Sequence, residues 1–316
     1  MPTNPILDII PRNIENEEVT TALRQFSSTV DEIVNFGSHI LKWCLDAATG
    51  GDENLPLFLS LRHILELIDS ISINIRESSV FPCKLLLRGV LESYFGATYM
   101  LEDKSKTKKR AMAFMICYVN RRLNIYKKLI PSTDANKNFI KKIEDDRLVG
   151  KAKIGNPPKI LNSLIANLDG LLKKPSYKRA NDEFQRFKKS GRRDPYWYSL
   201  YDGPKNLEEL ANHLKLSGLY HVLYRHWSEA VHGTDIIEGK IFRDISGQGG
   251  IIQLRLPGDA QVITSLTLSI ACDLFKLYVQ YFVPETLPDY TTWYMQEIRD
   301  INLRLIGSPI IQVKTI

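Results

Sequence analysis

The sequence is poor in cysteine, and its few cysteines are widely spaced. Among 316 residues there are four, Cys44, Cys83, Cys117 and Cys272, and no two of them form a CxxC pair. Closely paired cysteines are typical of zinc sites and redox motifs, and dense cysteines are typical of secreted disulfide scaffolds. Each of the four lies in an apolar run, so we expect buried, reduced thiols and a cytoplasmic setting.

Signatures of metal and nucleotide chemistry are also missing. The chain contains no HExxH, no cluster of Cys and His, no GxGxxG, and no GxxxxGK followed by Ser or Thr. The stretch SGQGG at 246–250 is rich in glycine, but no helical pattern follows it directly, as a phosphate-binding loop requires. We therefore expect no metal, no cofactor and no nucleotide hydrolysis.

Long uninterrupted hydrophobic runs are absent as well. The most apolar stretch, residues 262–283, contains Asp273, Lys276 and Gln280, which is typical of an amphipathic core helix rather than a membrane span. Residues 1–19 have neither a basic nor an apolar segment, so we expect no signal peptide and no membrane partner. Hydrophobic residues make up 44% of the chain and charged residues 25%, which is ordinary for a soluble globular protein.

Helical periodicity of apolar residues runs through most of the chain. The ranges with this spacing are 17–48, 55–76, 80–101, 105–130, 206–214, 217–232, 259–283 and 287–306. Two alternating runs within 239–257 flank SGQGG and predict a β-hairpin. The sequence therefore predicts an all-α helical bundle with one small β-hairpin.

The middle of the chain differs from both ends. Residues 131–205 are polar, rich in lysine and interrupted by NPPK, KKPS, SGRRDP and YDGP, which predicts short helices joined by loops. We expect this range to be a basic insertion, with 1–130 and 206–316 forming one helical core together. A chain of 316 residues can bury such a core without disulfides or metal.

One helical segment carries an unusual set of polar residues. Those that fall on one side of it at 100° per residue are His221, Arg225, Ser228, Glu229 and His232. A solvated face would explain the stripe, although Lys, Glu and Gln are more usual there. Arginine binds phosphate through a fixed fork of donors, and histidine transfers protons near neutral pH. The alternative is therefore metal-independent RNA cleavage, with Arg225 holding phosphate and His232 as general base or acid.

A second candidate is the pair Arg88 and Glu92, four residues apart in an apolar helical segment. An unpaired charge in such surroundings is costly, so we expect the two to form an ion pair close to the 217–232 helix. The pair either fixes helix packing or serves the same site, with Glu92 and Ser228 orienting the reacting groups and Arg88 as a second phosphate ligand. Arg62 and Glu66 repeat the spacing, but we expect an ordinary surface pair there.

Arg225 and His232, with six residues between them, resemble the Arg-X(4–6)-His motif of the HEPN superfamily of helical domains. The resemblance implies a metal-independent endoribonuclease that acts as a homodimer, with both motifs at one cleft. It also implies a bacterial defence or toxin effector, controlled by an antitoxin or another regulatory protein. The ranges 55–101 and 216–235 further resemble an uncharacterised family of bacterial helical proteins with Arg-x-x-x-Glu and Ser-x-x-x-His helices. Those motifs fall on Arg88, Glu92, Ser228 and His232.

Two basic segments frame the middle range. Residues 104–128 contain nine Lys and Arg and no acid, and residues 173–193 contain nine more against Asp182 and Glu183. Aromatic residues follow at 196–201. Such segments are often solvated faces, but basic groups beside exposed aromatics also suit single-stranded nucleic acid. The residues that we expect to bind RNA are Lys188, Lys189, Arg192, Arg193, Trp197, Arg121 and Arg122.

Two functions from different classes follow from these patterns. The first is an RNA-cleaving or RNA-binding protein of the HEPN kind. The second is a non-enzymatic helical module that binds nucleic acid or a partner protein and uses the polar stripe only as a structural network. The arrangement of a dimer distinguishes the two functions. The enzyme needs the polar stripes of two chains to face one groove, and the module does not.

Overall fold

A computed structural model shows the architecture of the chain. It describes residues 16–131, 133–144, 146–148, 160–189, 194–232, 240–243, 249–307 and 309–311, with Asn4, Ile6, Ile9 and Ile10. Within these ranges the side chains of 229–232, 242 and 243 lie outside the description.

The described residues are mostly helical, which confirms the all-α prediction. The α-helices are α1 Glu17–Ala47, α2 Leu55–Arg76, α3 Phe81–Leu101, α4 Lys104–Lys127, α5 Asp134–Glu144, α6 Leu161–Lys173, α7 Pro175–Lys189, α8 Leu207–His213, α9 Arg225–His232, α10 Ala260–Phe282, α11 Leu287–Trp293 and α12 Arg299–Ile306. Short 3₁₀ turns lie at Trp197–Asp202 and Pro284–Thr286, and π-helical turns at Leu219–Tyr224 and Tyr294–Ile298.

The predicted hairpin contributes two short strands. β1 (Ile241–Arg243) and β2 (Gly249–Ile251) pair antiparallel, with Ile241 opposite Ile251. The predicted turn was SGQGG at 246–250; its first three residues lie outside the described part of the chain, and Gly249 and Gly250 belong to β2.

The ends of α1 follow ordinary helix rules. The side chain of Asn16 accepts a hydrogen bond from the Val19 N–H at 3.1 Å, which satisfies one of the free donors at the start of the helix. The helix ends at Ala47, shortly before two glycines with positive φ, Gly50 at 73° and Gly51 at 132°. Glycine adopts such angles without steric cost, so the chain can turn there into α2.

The chain divides into two compact units. The first unit, Met1–Lys104 with Leu207–Ile316, has its core between α1, α2, α3 and α10. Its largest fully buried side chains include Phe26, Ile33, Leu61, Phe275 and Tyr278. The buried Tyr278 hydroxyl donates to the Leu57 carbonyl at 2.7 Å, so burial leaves that polar group satisfied.

Gly37 permits the close approach of three of these helices. A Cβ atom at this position of α1 would lie 2.4 Å from Leu65 Cδ2 of α2 and 2.5 Å from Phe275 Cζ of α10. Carbon atoms do not approach so closely in packed interiors, so only glycine fits without moving its neighbours.

The second unit, Ser105–Asn206, has its own hydrophobic cluster. Met112 and Ile116 of α4 pack there with Tyr177 and Phe184 of α7 and with Leu200. This grouping assigns α4 to the second unit, whereas the sequence predicts that 105–130 belongs to the core. The reason is that the apolar side chains of α4 are buried together with those of α7.

The four cysteine thiols and the most apolar helix are buried inside the protein. All four cysteines are buried and free, as expected, and burial raises the pKa of each thiol to about 12. In the described part of the chain one helix, α10, is long and apolar enough to cross a membrane, and 61% of its most apolar window is buried inside the protein. Such burial is typical of a core helix in a soluble protein.

Candidate functional site

Arg88 and Glu92 lie on one face of α3, which packs against both α9 and the π-helical turn before it. Arg88 Nη2 lies 3.4 Å from Glu92 Oε1, so the expected ion pair is present and close to the predicted helix. The Arg88 side chain is 21% exposed and that of Glu92 is 48% exposed. The charge of Arg88 is therefore partly withdrawn from water, while Glu92 stays half in solvent.

Tyr224 joins this pair, although no sequence pattern predicts a role for it. Arg88 Nη2 donates to the Tyr224 hydroxyl at 2.7 Å, and the same hydroxyl donates to Glu92 Oε1 at 2.6 Å. The guanidinium carbon also lies 4.6 Å from the centre of the Tyr224 ring. We call these three residues the Arg88 cluster. It combines a cation–π contact with two hydrogen bonds that involve charged groups.

The hydroxyl of Tyr224 is neutral at physiological pH. Burial raises the pKa of Tyr224 to about 12, the hydrogen bond and charge of Glu92 act in the same direction, and Arg88 acts in the opposite direction. A group with this pKa is a hydrogen-bond donor rather than a base near pH 7. Arg88 Nε is buried and makes no hydrogen bond with any residue that the structure describes.

A π-helical turn, Leu219–Tyr224, positions Tyr224. Such turns have a wider hydrogen-bonding pattern than an α-helix and occur frequently at functional sites. The rule of 100° per residue therefore does not hold between His221 and Arg225. His221 lies 3.6 Å from Glu208 of α8, an approach that the predicted stripe did not include.

After the π-helical turn, α9 has one buried face and one exposed face. Trp227 is buried and Ser228 is half-buried, whereas Arg225 and His226 are exposed. The Ser228 hydroxyl donates to the backbone carbonyl of Tyr224 at 2.7 Å, a local bond to the preceding turn that serine commonly makes inside helices. The structure thus joins Arg88 and Glu92 through the Tyr224 hydroxyl, places Ser228 one turn after Tyr224, and leaves Arg225 at the surface.

His232 is the last residue of α9, one helical turn after Ser228. Its side chain, like that of Glu229, lies outside the described residues, so its catalytic role stays a prediction. Among the residues that are described, no group of three or more His, Cys, Asp and Glu is arranged to hold a metal ion.

Charge is distributed very unevenly between the two units. Residues 105–206 contain 25 Lys and Arg against 9 Asp and Glu, a net charge of +16. The rest of the chain contains 17 Lys and Arg against 27 Asp and Glu, a net charge of −10. The overall charge of +6 therefore hides a strongly basic second unit.

Several of the predicted RNA-binding residues of the second unit are accessible. Arg121, Arg122 and Lys189 are exposed, and the Arg122 guanidinium lies 5.4 Å from the centre of the Tyr118 ring. Lys188 forms an ion pair with Asp194, which neutralises part of its charge. Arg192 and Arg193 lie outside the described residues.

Trp197 does not form the exposed aromatic platform that the sequence suggested. It is half-buried and packs edge-on against Phe114, with ring centres 5.6 Å apart, beside the hydrophobic cluster of the second unit. The reason is the 3₁₀ turn at Trp197–Asp202, which places this ring against α4. The exposed aromatic residue nearby is Tyr196, 56% exposed and stacked on Tyr198.

Fold and site together define an all-α protein with a basic helical unit and a partly exposed Arg–Tyr–Glu cluster. The chain belongs to the family of unknown function DUF5677, whose model matches residues 54–247. The matched range contains all three residues of the Arg88 cluster and the whole of the second unit. No curated protein and no solved structure matches the chain.

Proposed function

We propose that the protein is a cytoplasmic RNA-binding protein that cleaves RNA without a metal ion. The observation that carries the proposal is the net charge of +16 on residues 105–206 in a chain whose remainder is acidic. A surface of this kind concentrates polyanions, because each neutralised phosphate releases counterions. Exposed Arg121, Arg122 and Lys189 supply such contacts, and exposed Tyr196 supplies a ring on which a base can stack.

The first unit supplies the groups for cleavage. The 2′-OH attacks the adjacent phosphorus, loses its proton to a base, and the bond to the 5′-oxygen breaks as that oxygen gains a proton. We assign the proton transfers to His232 and the stabilisation of negative charge on the phosphate oxygens to Arg225 and Arg88. Glu92 and Ser228 act as positioning residues, since one bonds the Tyr224 hydroxyl and the other the Tyr224 carbonyl.

Two histidines in α9 make a matched test of this assignment. His232→Ala should reduce cleavage of mixed cellular RNA in the presence of EDTA by roughly 10²–10⁴-fold, which is what general acid–base catalysis contributes. His226→Ala, at an exposed position six residues earlier, should cleave at the wild-type rate. Equal loss in both variants, or less than about tenfold loss in the first, would refute the role of His232. Unchanged melting temperatures show that both variants fold.

The proposal includes a homodimer that brings two copies of Arg225 and His232 to one cleft. It also includes a defence or toxin role under the control of an antitoxin or another regulatory protein. Sedimentation equilibrium tests the first part, because a monomer at the concentrations where RNA is cut would exclude a shared cleft.

A non-enzymatic interaction module is the second candidate. The observation that favours it is the pair of hydrogen bonds by which the Tyr224 hydroxyl joins Arg88 and Glu92, since these bonds also fix the packing of α3 against the π-helical turn before α9. This candidate predicts RNA binding of the same salt dependence with no cleavage in any variant.

A further inference from the structure

We propose that Tyr224 is a positioning residue that keeps the Arg88 guanidinium available for an RNA phosphate. This inference rests on the proposed function and deepens it. It assigns a role to a side chain that stands outside both the Arg-x-x-x-Glu and the Arg-X(4–6)-His patterns.

The distances within the Arg88 cluster show how Tyr224 acts. Residues four apart on a helix pair directly when nothing lies between them. Here the nearest partner of Glu92 Oε1 is the Tyr224 hydroxyl at 2.6 Å, and Arg88 Nη2 is farther away at 3.4 Å. The hydroxyl therefore bridges the two charged groups, donating to Glu92 and accepting from Arg88 Nη2 at 2.7 Å, and the direct ion pair is the longest of the three contacts.

Tyr224 is itself held firmly enough for this role. Its ring stacks on that of Tyr220, with centres 5.3 Å apart and planes 18° apart. Its backbone carbonyl accepts the Ser228 hydroxyl at 2.7 Å. The guanidinium carbon of Arg88 lies 4.6 Å from the centre of the Tyr224 ring, and this cation–π contact attaches Arg88 to Tyr224 a second time.

A phosphate can reach such an arginine from the solvent side. The Arg88 side chain is 21% exposed, and its contacts with Glu92 and Tyr224 both involve one of its two terminal nitrogens, Nη2. We assign the second terminal nitrogen, Nη1, to the phosphate, because arginine binds phosphate oxygens through a fork of fixed donors.

The test uses a pair of variants that each lose one hydroxyl. Tyr224→Phe keeps the ring and removes the bridge, so Arg88 should swing into a direct pair with Glu92. Tyr220→Phe removes the hydroxyl of the neighbouring stacked ring, for which the described residues provide no hydrogen bond. The probe is inorganic phosphate, and the readout is the Nε–Hε NMR signal of Arg88 in the full chain, assigned by its loss in Arg88→Lys.

We expect the Arg88 signal of the wild type and of Tyr220→Phe to shift on titration with phosphate. In Tyr224→Phe the apparent affinity should fall by about tenfold or more, as for the loss of a hydrogen bond to a charged group. Equal responses in all three proteins would overturn the positioning role while leaving the proposed function intact. If the Arg88 signal of the wild type shifts with neither phosphate nor a short RNA, Arg88 is not a phosphate ligand and this inference is overturned.

Discussion

A double-mutant cycle between Arg88 and Tyr224 measures the interaction on which the site depends. Arg88→Met removes the donor of the 2.7 Å hydrogen bond and one partner of the 3.4 Å ion pair. Breaking a fully buried pair costs about 3–5 kcal/mol. Here Glu92 is 48% exposed, so water compensates in part, and we expect Arg88→Met to cost about 2 kcal/mol of unfolding free energy.

The second variant of the cycle measures the contribution of the Tyr224 hydroxyl apart from that of its ring. Tyr224→Phe keeps the cation–π contact and loses both hydrogen bonds, so we expect a cost of about 1–2 kcal/mol. Because the two residues share one bond, the double variant should cost less than the two single variants added together, by about 1 kcal/mol.

Unfolding in urea followed by circular dichroism provides the free energies. Arg62→Met is the matched control, because Arg62 pairs with Glu66 at 3.1 Å with side chains 62% and 59% exposed. Such surface pairs contribute about 0–1 kcal/mol, so this variant should be close to wild type. A coupling between Arg88 and Tyr224 below about 0.3 kcal/mol would show that the Arg88 cluster does not hold α3 and the π-helical turn before α9 together.

Three further predictions concern packing, thiols and charge. Gly37→Ala should lower the unfolding free energy by about 1–3 kcal/mol through overpacking, whereas Gly170→Ala, with open space around it, should be neutral or slightly stabilising. The four buried thiols should resist thiol reagents at pH 8 until the protein unfolds. Because their folded pKa is raised from 9.0 to about 12, their contribution to stability is complete below pH 9 and is lost as pH rises toward 12. Affinity for single-stranded RNA should fall steeply between about 50 and 200 mM salt, and charge reversal at Arg121 and Arg122 should make that dependence shallower; a flat salt response would contradict the role of the second unit.

The helical fold could be predicted from the sequence because apolar residues at helical spacing mark the buried face of each helix. The ends of α1, α2 and α3 fell within a residue or two of the expected ranges. The grouping of α4 with α7 could not be predicted in the same way. Periodicity shows that a helix has an apolar face, but it does not show which other face covers it.

The candidate site was predictable only in part. The spacing of Arg88 and Glu92 in an apolar segment was enough to predict their ion pair. Tyr224 lies more than a hundred residues away in the chain, and tyrosine in an apolar helix gives no signal of its own. The predicted polar stripe was also inaccurate at its start. It assumed 100° per residue throughout, as in an unbroken α-helix, but Leu219–Tyr224 forms a π-helical turn.

The chemistry of the RNA ends tests the central claim most directly. Wild-type protein incubated with mixed cellular RNA in EDTA should leave fragments that end in 2′,3′-cyclic phosphate, because attack by the 2′-OH needs a cation and a proton acceptor but no metal. The same RNA carrying 2′-O-methyl groups should remain intact. Fragments that end in a 3′-hydroxyl, or cleavage that disappears with EDTA, would contradict metal-independent cleavage at α3 and α9.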